Sequence, residues 1–273
     1  MREVRIHSEN NDFQHVETLA RNRTKRQKSH QFFVEGVRNI NQAIAHSFQI
    51  KSFFSVTGAR LSPWAQQILD GGVAETHFSL PAALMGKLSE KDQTSELAAV
   101  VAMPPDDLSR IDAKAGARVV VFDRPSNPGN LGTLVRSCDA FGVSGVIVTG
   151  HAVDLYDPLV IRASVGSFFT LPIVRLPSHH ELLSWVAARR SEAEGLRVIG
   201  TSAKAEVSVR DDAFSGRSLL IFGNETHGMS AGYRELCDQL LTIPMGGTAS
   251  SLNVSCAASI VLYEAFCRSQ NAQ

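Results

Sequence analysis

The sequence predicts an α/β protein: a mainly parallel sheet with helices on both faces, preceded by a small N-terminal α/β domain. After residue 118, short β-branched segments alternate with helical patterns, as is typical of parallel strands joined by helices. The Pro-Pro pair and the charges that follow it in residues 104–112 are typical of a linker. We therefore expect domains at 1–103 and 115–273, joined by a linker at 104–114.

The first domain contains alternating helical and strand patterns. Apolar residues at helical spacing, from Val37 to Ile44, predict a helix over residues 35–47. A run of apolar and aromatic residues predicts a strand at Ile50–Val56. The remaining expected elements are two helices and a strand, at Pro63–Leu69, Pro81–Leu88 and Leu97–Met103.

The second domain is expected to hold six strands and four helices. The strands are predicted at Val119–Phe122, Gly145–Thr149, Ile173–Leu176, Arg197–Thr201, Leu219–Phe222 and Leu240–Ile243. The helices are predicted at Leu131–Phe141, Pro158–Ser167, His179–Glu194 and Leu252–Cys267. Sheets of this kind bind ligands outside the carboxyl ends of their strands, so the loops that follow strands are the candidate site.

The composition excludes several classes of protein. The chain has 273 residues, 27 basic and 27 acidic, and is 44% apolar, which is enough to bury a core. No apolar run approaches the roughly 18 residues of a membrane span, and the polar N-terminus lacks the apolar stretch of a secretory signal. The four cysteines form no CxxC pair and no HExxH occurs. We expect a cytoplasmic protein with no metal and no membrane partner.

Positive charge is concentrated near the N-terminus. Residues 1–60 hold 10 Lys and Arg against 5 Asp and Glu. Five of these basic residues lie within one octet that contains no acid, and they are the candidate phosphate-binding residues Arg21, Arg23, Lys25, Arg26 and Lys28. Such a patch can bind phosphates, although a solvated helix face is the alternative.

Three loops that follow predicted strands are rich in Gly, Asn and Ser. They lie at Asp123–Gly132, Gly223–Gly228 and Pro244–Ser255. None contains a GxGxxG, GxxxxGK[ST] or GxSxG motif, which excludes the common dinucleotide, phosphate-loop and hydrolase sites. Each loop alone is compatible with a simple helix cap. Three such loops at equivalent strand ends favour a shared ligand site.

In this order, the loops resemble the three motifs of the SpoU-type (TrmH-like) RNA ribose 2′-O-methyltransferases of the SPOUT superfamily. The motifs match at Asn127–Arg136, Gly223–Gly228 and Ile243–Ser255, and Arg162–Phe168 is similar to a further family helix. The resemblance covers about residues 115–268. More weakly, residues 26–38 resemble the start of the family's substrate-binding domain, which is similar to a small ribosomal protein.

The resemblance implies a fold, a methyl donor and a set of site residues. It implies a trefoil knot in the C-terminal domain, S-adenosyl-L-methionine as the donor, and a homodimer that completes the active site. The implied catalytic residues are Asn130, Arg136, Glu225, Ser251 and Asn253. The implied donor-binding residues are Thr201, Gly223, Ile243 and Leu252.

The resemblance places Arg136 beside the 2′-hydroxyl that receives the methyl group. Because a guanidinium group stays protonated in proteins, we expect Arg136 to bind the adjacent phosphate and polarise the oxygen rather than act as a base. The 2′-hydroxyl distinguishes RNA from DNA, so RNA is the expected partner, and the five basic residues of the octet are the candidate RNA-binding residues. Ribosomal RNA is favoured, with transfer RNA as the alternative. Two further alternatives are an enzyme that confers antibiotic resistance by modifying the ribosome, and a non-catalytic RNA-binding or ribosome-assembly factor.

Overall fold

The computed structural model describes residues 1–89 and 93–271. The described chain forms two compact units. The first contains Met1–Pro104 together with Tyr156–Thr170, and the second contains Pro105–Leu155 together with the chain from Leu171 onward.

The elements alternate along the chain as expected for an α/β protein. The strands are β1 (Arg2–Arg5), β2 (Gln31–Glu35), β3 (Ile50–Val56), β4 (Thr76–Leu80), β5 (Ala98–Ala102), β6 (Arg118–Asp123), β7 (Gly145–Thr149), β8 (Ile173–Leu176), β9 (Leu196–Thr201), β10 (Val207–Ser208), β11 (Arg217–Phe222) and β12 (Gln239–Thr242). The helices are α1 (Asn11–Arg21), α2 (Arg23–Ser29), α3 (Val37–Ala45), α4 (Pro63–Asp70), α5 (Ala82–Leu88), α6 (Pro128–Ala140), α7 (Pro158–Ser164), α8 (His180–Arg190), α9 (Ala231–Leu236) and α10 (Val254–Asn271).

The first unit is built on a mixed five-stranded sheet in the order β1-β4-β3-β5-β2. Strands β1, β4 and β3 run parallel, whereas β5 is antiparallel to both β3 and β2. Helix α1 packs on this sheet through Phe13, Val16 and Leu19, which are fully buried with Phe33 and Phe54 of the strands. Asn10 caps the start of α1 by accepting a hydrogen bond from the backbone of Phe13.

Segment 156–170 belongs to the aromatic core of the first unit. The ring of Phe32 lies 4.8 Å from that of Tyr156 and 5.8 Å from that of Phe168. The rings of Phe48 and Phe169 meet edge to face at 5.0 Å. These apolar contacts explain why a segment so distant in sequence packs with the first hundred residues.

The structure corrects the expectation that Arg26 contacts RNA. The side chain of Arg26 is 2% exposed, and its Nη1 atom donates to the carbonyls of Leu19 and Ala20 at 2.8 and 3.1 Å. Its Nη2 atom lies 3.4 Å from a carboxylate oxygen of Asp157. Arg26 therefore satisfies the carbonyl end of α1 from inside the unit, as a cation at a helix C-terminus can.

The second unit is built on a seven-stranded sheet in the order β10-β12-β9-β11-β6-β7-β8. Every neighbouring pair in this sheet is parallel. Val119 and Val121 pack with Trp185 of α8 and Tyr233 of α9 on one face. Val120 and the other residues of β6 are buried as well, so both faces of the sheet are covered, as predicted.

Several predicted elements are confirmed, and others end elsewhere. The strands at Ile50–Val56, Gly145–Thr149 and Ile173–Leu176 have the expected bounds. The helix expected to reach residue 167 ends at Ser164, because Val165 and then Gly166 adopt positive φ angles of 52° and 96°. The last strand ends at Thr242, and the last helix begins at Val254. None of the described helices could span a bilayer.

Candidate functional site

The carboxylate of Glu225, in the loop after β11, is the centre of a hydrogen-bonded cluster. Its Oε2 atom accepts from the backbone and hydroxyl of Ser126 at 2.9 and 2.7 Å, and from the amide of Asn224 at 3.4 Å. Its Oε1 atom accepts from the backbone of Asn127 at 3.1 Å and from the side chain of Asn130 at 3.2 Å. Glu225 thus joins the loops that follow β11 and β6.

A second pair of amides extends the cluster to the start of α10. The side-chain nitrogen of Asn253 donates to the side-chain oxygen of Asn130 at 2.9 Å. The side-chain oxygen of Asn253 in turn accepts from the backbone and hydroxyl of Ser255 at 2.9 and 2.6 Å. Three segments from distant parts of the sequence therefore meet through Glu225, Asn130 and Asn253, as the sequence predicts.

The surroundings of Glu225 favour its ionised form. Burial by itself raises the pKa of this carboxyl group. The hydrogen bonds from Ser126 and Asn130 outweigh burial, and the pKa of Glu225 lies below its usual value. The carboxylate is therefore charged at neutral pH and acts only as an acceptor.

Helix α6 carries both Asn130 and Arg136. Asn127 caps this helix, since its side chain accepts from the backbone of Asn130 at 3.0 Å, and Pro128 occupies the first turn. Arg136 is exposed and makes no hydrogen bond or ion pair to residues 1–89 or 93–271. Its guanidinium is therefore available to a ligand.

Three of the four residues expected to bind the methyl donor lie at the carboxyl ends of neighbouring strands. Thr201 ends β9, Gly223 follows β11 and Ile243 follows β12, and β9 lies between the other two strands in the sheet. The hydroxyl of Thr201 donates to the carbonyl of Ile221 at 3.4 Å. Leu252 is 39% exposed, one residue before Asn253.

The remaining predicted catalytic residue, Ser251, lies in the same loop as Leu252. Its side chain is exposed, and no hydrogen bond joins it to the described part of the chain. The structure therefore places Ser251 close in sequence to Asn253 but outside the hydrogen-bonded cluster. Its hydroxyl is available to a ligand.

The loop between β12 and α10 leaves its backbone free. No backbone hydrogen bond joins residues 244–252 to any other part of the described chain. A Cβ atom added to Gly246 or Gly247 would meet no atom within 4 Å. This loop can therefore offer backbone donors and acceptors to a bound molecule.

Gly223 has a different reason to be glycine. A Cβ atom at this position would lie 2.1 Å from the backbone nitrogen of Met229 and 2.3 Å from the carbonyl carbon of Gly228. The backbone that leaves β11 therefore passes directly against the other end of the Glu225 loop.

We expect Gly223→Ala to lower the free energy of unfolding by about 3 kcal/mol or more, because two backbone segments must separate. Urea unfolding followed by circular dichroism measures this change. Gly246→Ala is the matched control, and its free energy of unfolding should change by less than about 0.5 kcal/mol. Equal effects of the two substitutions would contradict the packing argument.

The sequence did not identify every residue of the cluster. Ser126, Asn224 and Ser255 all bond directly to predicted site residues. The sequence offers a signal for Ser255, which stands two residues after Asn253 at a helix start, where a hydroxyl often bonds locally. No local pattern marks Ser126, because its partner is 99 residues away. No group of metal-binding side chains occurs in the ranges that the structure describes.

Comparison with known proteins identifies the family. Residues 117–263 match a family model described as the SpoU rRNA Methylase family, and this match covers more than half of the chain. The chain belongs to the SpoU rRNA methylase family. Residues 10–99 match a second model, described as the SpoU L30e-like domain. The resemblance seen in the sequence motifs is thereby confirmed.

Similarity to members of the SpoU family extends along nearly the whole chain. A 23S rRNA (uridine(2479)-2′-O)-methyltransferase of Streptomyces viridochromogenes is 44% identical over 96% of this chain and 91% of its own length. A 23S rRNA (guanosine(2553)-2′-O)-methyltransferase of Bacillus subtilis is 30% identical over 88% of this chain and 90% of its own length.

A solved structure of a SpoU methyltransferase is similar to this chain along nearly its whole length. The crystal structure of the SpoU methyltransferase AviRb from Streptomyces viridochromogenes, in complex with the cofactor AdoMet, is 42% identical in sequence. It superposes with a TM-score of 0.91, covering 96% of this chain and 98% of that one.

Proposed function

We propose that this protein transfers a methyl group from S-adenosyl-L-methionine to a ribose 2′-hydroxyl of 23S ribosomal RNA. The observation that carries the proposal is the hydrogen-bonded cluster of Glu225, Asn130 and Asn253, which joins the three motifs of the SpoU family in one site. The two similar proteins above are named for 2′-O-methylation of 23S rRNA and align over most of this chain.

The residues of this chain fit the proposed methyl donor. Adenosine has an apolar ring with polar edges, and residues 244–252 offer free backbone groups beside the exposed side chains of Met245 and Leu252. Thr201, Gly223, Ile243 and Leu252 are the residues proposed to hold it. When bound, S-adenosylmethionine supplies an electrophilic methyl group on a sulfonium.

Arg136 is proposed to act on the ribose. Its exposed guanidinium can form two parallel hydrogen bonds with the phosphate next to the target nucleotide and stabilise charge on the attacking 2′-oxygen. Such contacts align the oxygen for in-line attack, and alignment alone can lower a barrier by several kcal/mol. The proton of the 2′-hydroxyl leaves during the attack and passes to water at this exposed site, because a charged guanidinium does not accept it.

The other catalytic residues are proposed to bind and orient the ribose. Asn130 is held by its neighbours at both ends of its amide, and so is fixed in one orientation on the helix that also carries Arg136. Asn253 fixes the start of α10, and Ser251 presents a free hydroxyl two residues earlier. Glu225 is given no role in proton transfer, because every hydrogen bond of its carboxylate holds another group of the site.

The two parts of the chain are proposed to have different functions. Residues 1–103 form an RNA substrate-binding domain similar to a small ribosomal protein, and residues 104–114 are the linker. Residues 115–273 form the methyltransferase domain, whose C-terminal segment forms a trefoil knot. Two observations support the knot: β12 lies between β10 and β9 in the sheet, and α10 then returns to α6, where Ser137 and Ser259 bond at 2.8 Å.

A homodimer in the cytoplasm is the proposed working form. Exposed apolar side chains on and near α10, Leu252 at 39%, Ile260 at 36% and Tyr263 at 54%, support an interface on this helix. A second copy that covers them would also lie close to Asn253.

Mass spectrometry of ribosomal and transfer RNA from cells with and without the protein tests the proposal. We expect one 2′-O-methylated nucleotide of 23S rRNA to disappear with the protein and to return with the wild-type gene. A missing methyl group in transfer RNA would identify the alternative substrate. If no RNA changed and calorimetry found no S-adenosylmethionine binding, a non-catalytic RNA-binding or assembly factor would replace the enzyme.

The exposed basic residues of α2 and its flanks are proposed to bind RNA phosphates. Changing Arg23, Lys25 and Lys28 together to Gln should weaken binding to in vitro transcribed 23S rRNA. It should also reduce the slope of log affinity against log salt by roughly 0.7–0.9 for each phosphate that the variant no longer neutralises. Filter binding between low and moderate salt measures the slope. Changing Arg2, Arg5 and Arg60 to Gln is the charge-matched control, and an equal loss of affinity in both variants would contradict a specific role for α2.

A further inference from the structure

The loop after β6 is fastened to the loop after β11 by hydrogen bonds that run in both directions. The carboxylate of Asp123 accepts from the backbone of Ser230 at 2.9 Å. The guanidinium of Arg124 donates to the carbonyl of Gly228 at 3.2 Å, while its own carbonyl accepts from Asn224 at 2.7 Å. The two loops are therefore held together at the carboxyl ends of two adjacent strands.

Within this pair of loops, Ser126 is the residue that bonds to the carboxylate twice. Its backbone N–H and its hydroxyl both donate to the same oxygen of Glu225, at 2.9 and 2.7 Å. The 2.7 Å distance is typical of a hydrogen bond from a hydroxyl to an ionised carboxylate. In the part of the chain that the structure describes, no other hydroxyl bonds to Glu225.

Fixing one oxygen of Glu225 fixes the other. The terminal torsion of a glutamate is soft, so a carboxylate turns easily unless both oxygens are held. With Oε2 bound to Ser126, the Oε1 atom faces the amide nitrogen of Asn130 at 3.2 Å. This contact leaves the amide oxygen of Asn130 directed to Asn253 at 2.9 Å. The orientation of both amides thus depends on the rotation of one carboxylate.

We propose that Ser126 is a positioning residue for methyl transfer: its hydroxyl fixes the rotation of Glu225, and through it the orientation of Asn130 and Asn253. Ser126 itself need not touch the RNA or the methyl donor. The proposal rests on the methyltransferase function proposed above.

The test compares Ser126→Ala with Ser126→Thr, which keeps the hydroxyl. Single-turnover methylation of in vitro transcribed 23S rRNA by Ser126→Ala should be slower by roughly 3–10-fold, the effect of losing one ordinary hydrogen bond, because the backbone N–H of Ser126 still holds the same oxygen. The dissociation constants for S-adenosylmethionine and for the RNA should stay within about twofold, because the proposed role needs no contact between Ser126 and either of them. Ser126→Thr should restore most of the rate.

Ser230→Ala is the matched control. It removes the same atom from the same pair of loops, but the Ser230 hydroxyl makes no hydrogen bond to the described residues, and its backbone bond to Asp123 remains. Its rate should equal that of the wild type. A Ser126→Ala rate within twofold of the wild type, or an equal fall in rate in Ser230→Ala, would overturn the proposal.

A second readout does not depend on activity. In protein carrying ¹³C-labelled glutamate, an NMR titration follows the protonation of Glu225. The hydrogen bond from the Ser126 hydroxyl lowers the pKa of Glu225, so removing this hydroxyl should raise that pKa. Ser126→Thr should not raise it. An unchanged titration in Ser126→Ala would reject the positioning role even if the rate fell. If the wild type methylated no RNA while the titration moved as expected, the proposed function would fail and the contact would stand.

Discussion

Replacing Arg136 by lysine is expected to slow single-turnover methyl transfer by roughly a hundredfold, the usual effect of losing one donor aimed at a developing oxyanion. Lysine keeps the charge but lacks the planar pair of N–H groups that binds a phosphate and an oxygen together. The side chain is exposed and bonds to no described residue, so the fold should be unaffected. Methyl transfer from labelled S-adenosylmethionine to 23S rRNA gives the rate.

Arg190→Lys is the matched control for this prediction. Arg190 is a surface residue at the end of α8, paired with Asp238 at 2.7 Å, and its replacement should leave the rate unchanged. A nearly full rate in Arg136→Lys would show that a single positive charge is sufficient. The proposed phosphate and oxygen contacts of the guanidinium would then be wrong.

Replacing Asn130 by aspartate is expected to reduce the rate at pH 8 by roughly 100-fold, because a hydrogen bond to a charged group becomes a repulsion. The substitution keeps the shape of the side chain. It removes the N–H that donates to Glu225 at 3.2 Å, while the oxygen that accepts from Asn253 remains and becomes charged. Two carboxylates then face each other in place of an amide and a carboxylate.

The pH dependence of this variant separates repulsion from misfolding. Like charges raise the pKa of the carboxylate pair, so a shared proton should return as the pH falls. The rate of the variant relative to the wild type should therefore rise between pH 8 and pH 5. Asn127→Asp is the control, since aspartate also caps a helix and the rate should fall only a few-fold. A constant ratio across this pH range would count against the contact between the two side chains.

The parallel sheet and the meeting of the three loops could be predicted from the sequence for a physical reason. Strands such as Gly145–Thr149 are buried on both faces, and an uninterrupted β-branched segment is the direct signature of that burial. The residues at the strand ends, Asn130, Glu225 and Asn253, stand out because Gly, Pro and Asn surround them. Parallel strands bring their carboxyl ends together, so the convergence of the three loops follows from the strand order.

The sequence could not predict contacts that depend on tertiary packing. Arg26 looks like the other basic residues of its octet, and only the packing of α2 against the end of α1 buries it. Helix α1, by contrast, could have been predicted, since Phe13, Val16 and Leu19 recur at helical spacing after the capping Asn10. The role of Ser126 depends on a partner in another loop.

The inclusion of residues 156–170 in the first compact unit has a consequence for how this protein can be divided or recombined. A truncation after residue 104 would remove Tyr156 and Phe169, whose rings pack against Phe32 and Phe48. An apolar surface would then be exposed to water. A chimaera that takes the first hundred residues from a relative must therefore take the fifteen residues 156–170 with them.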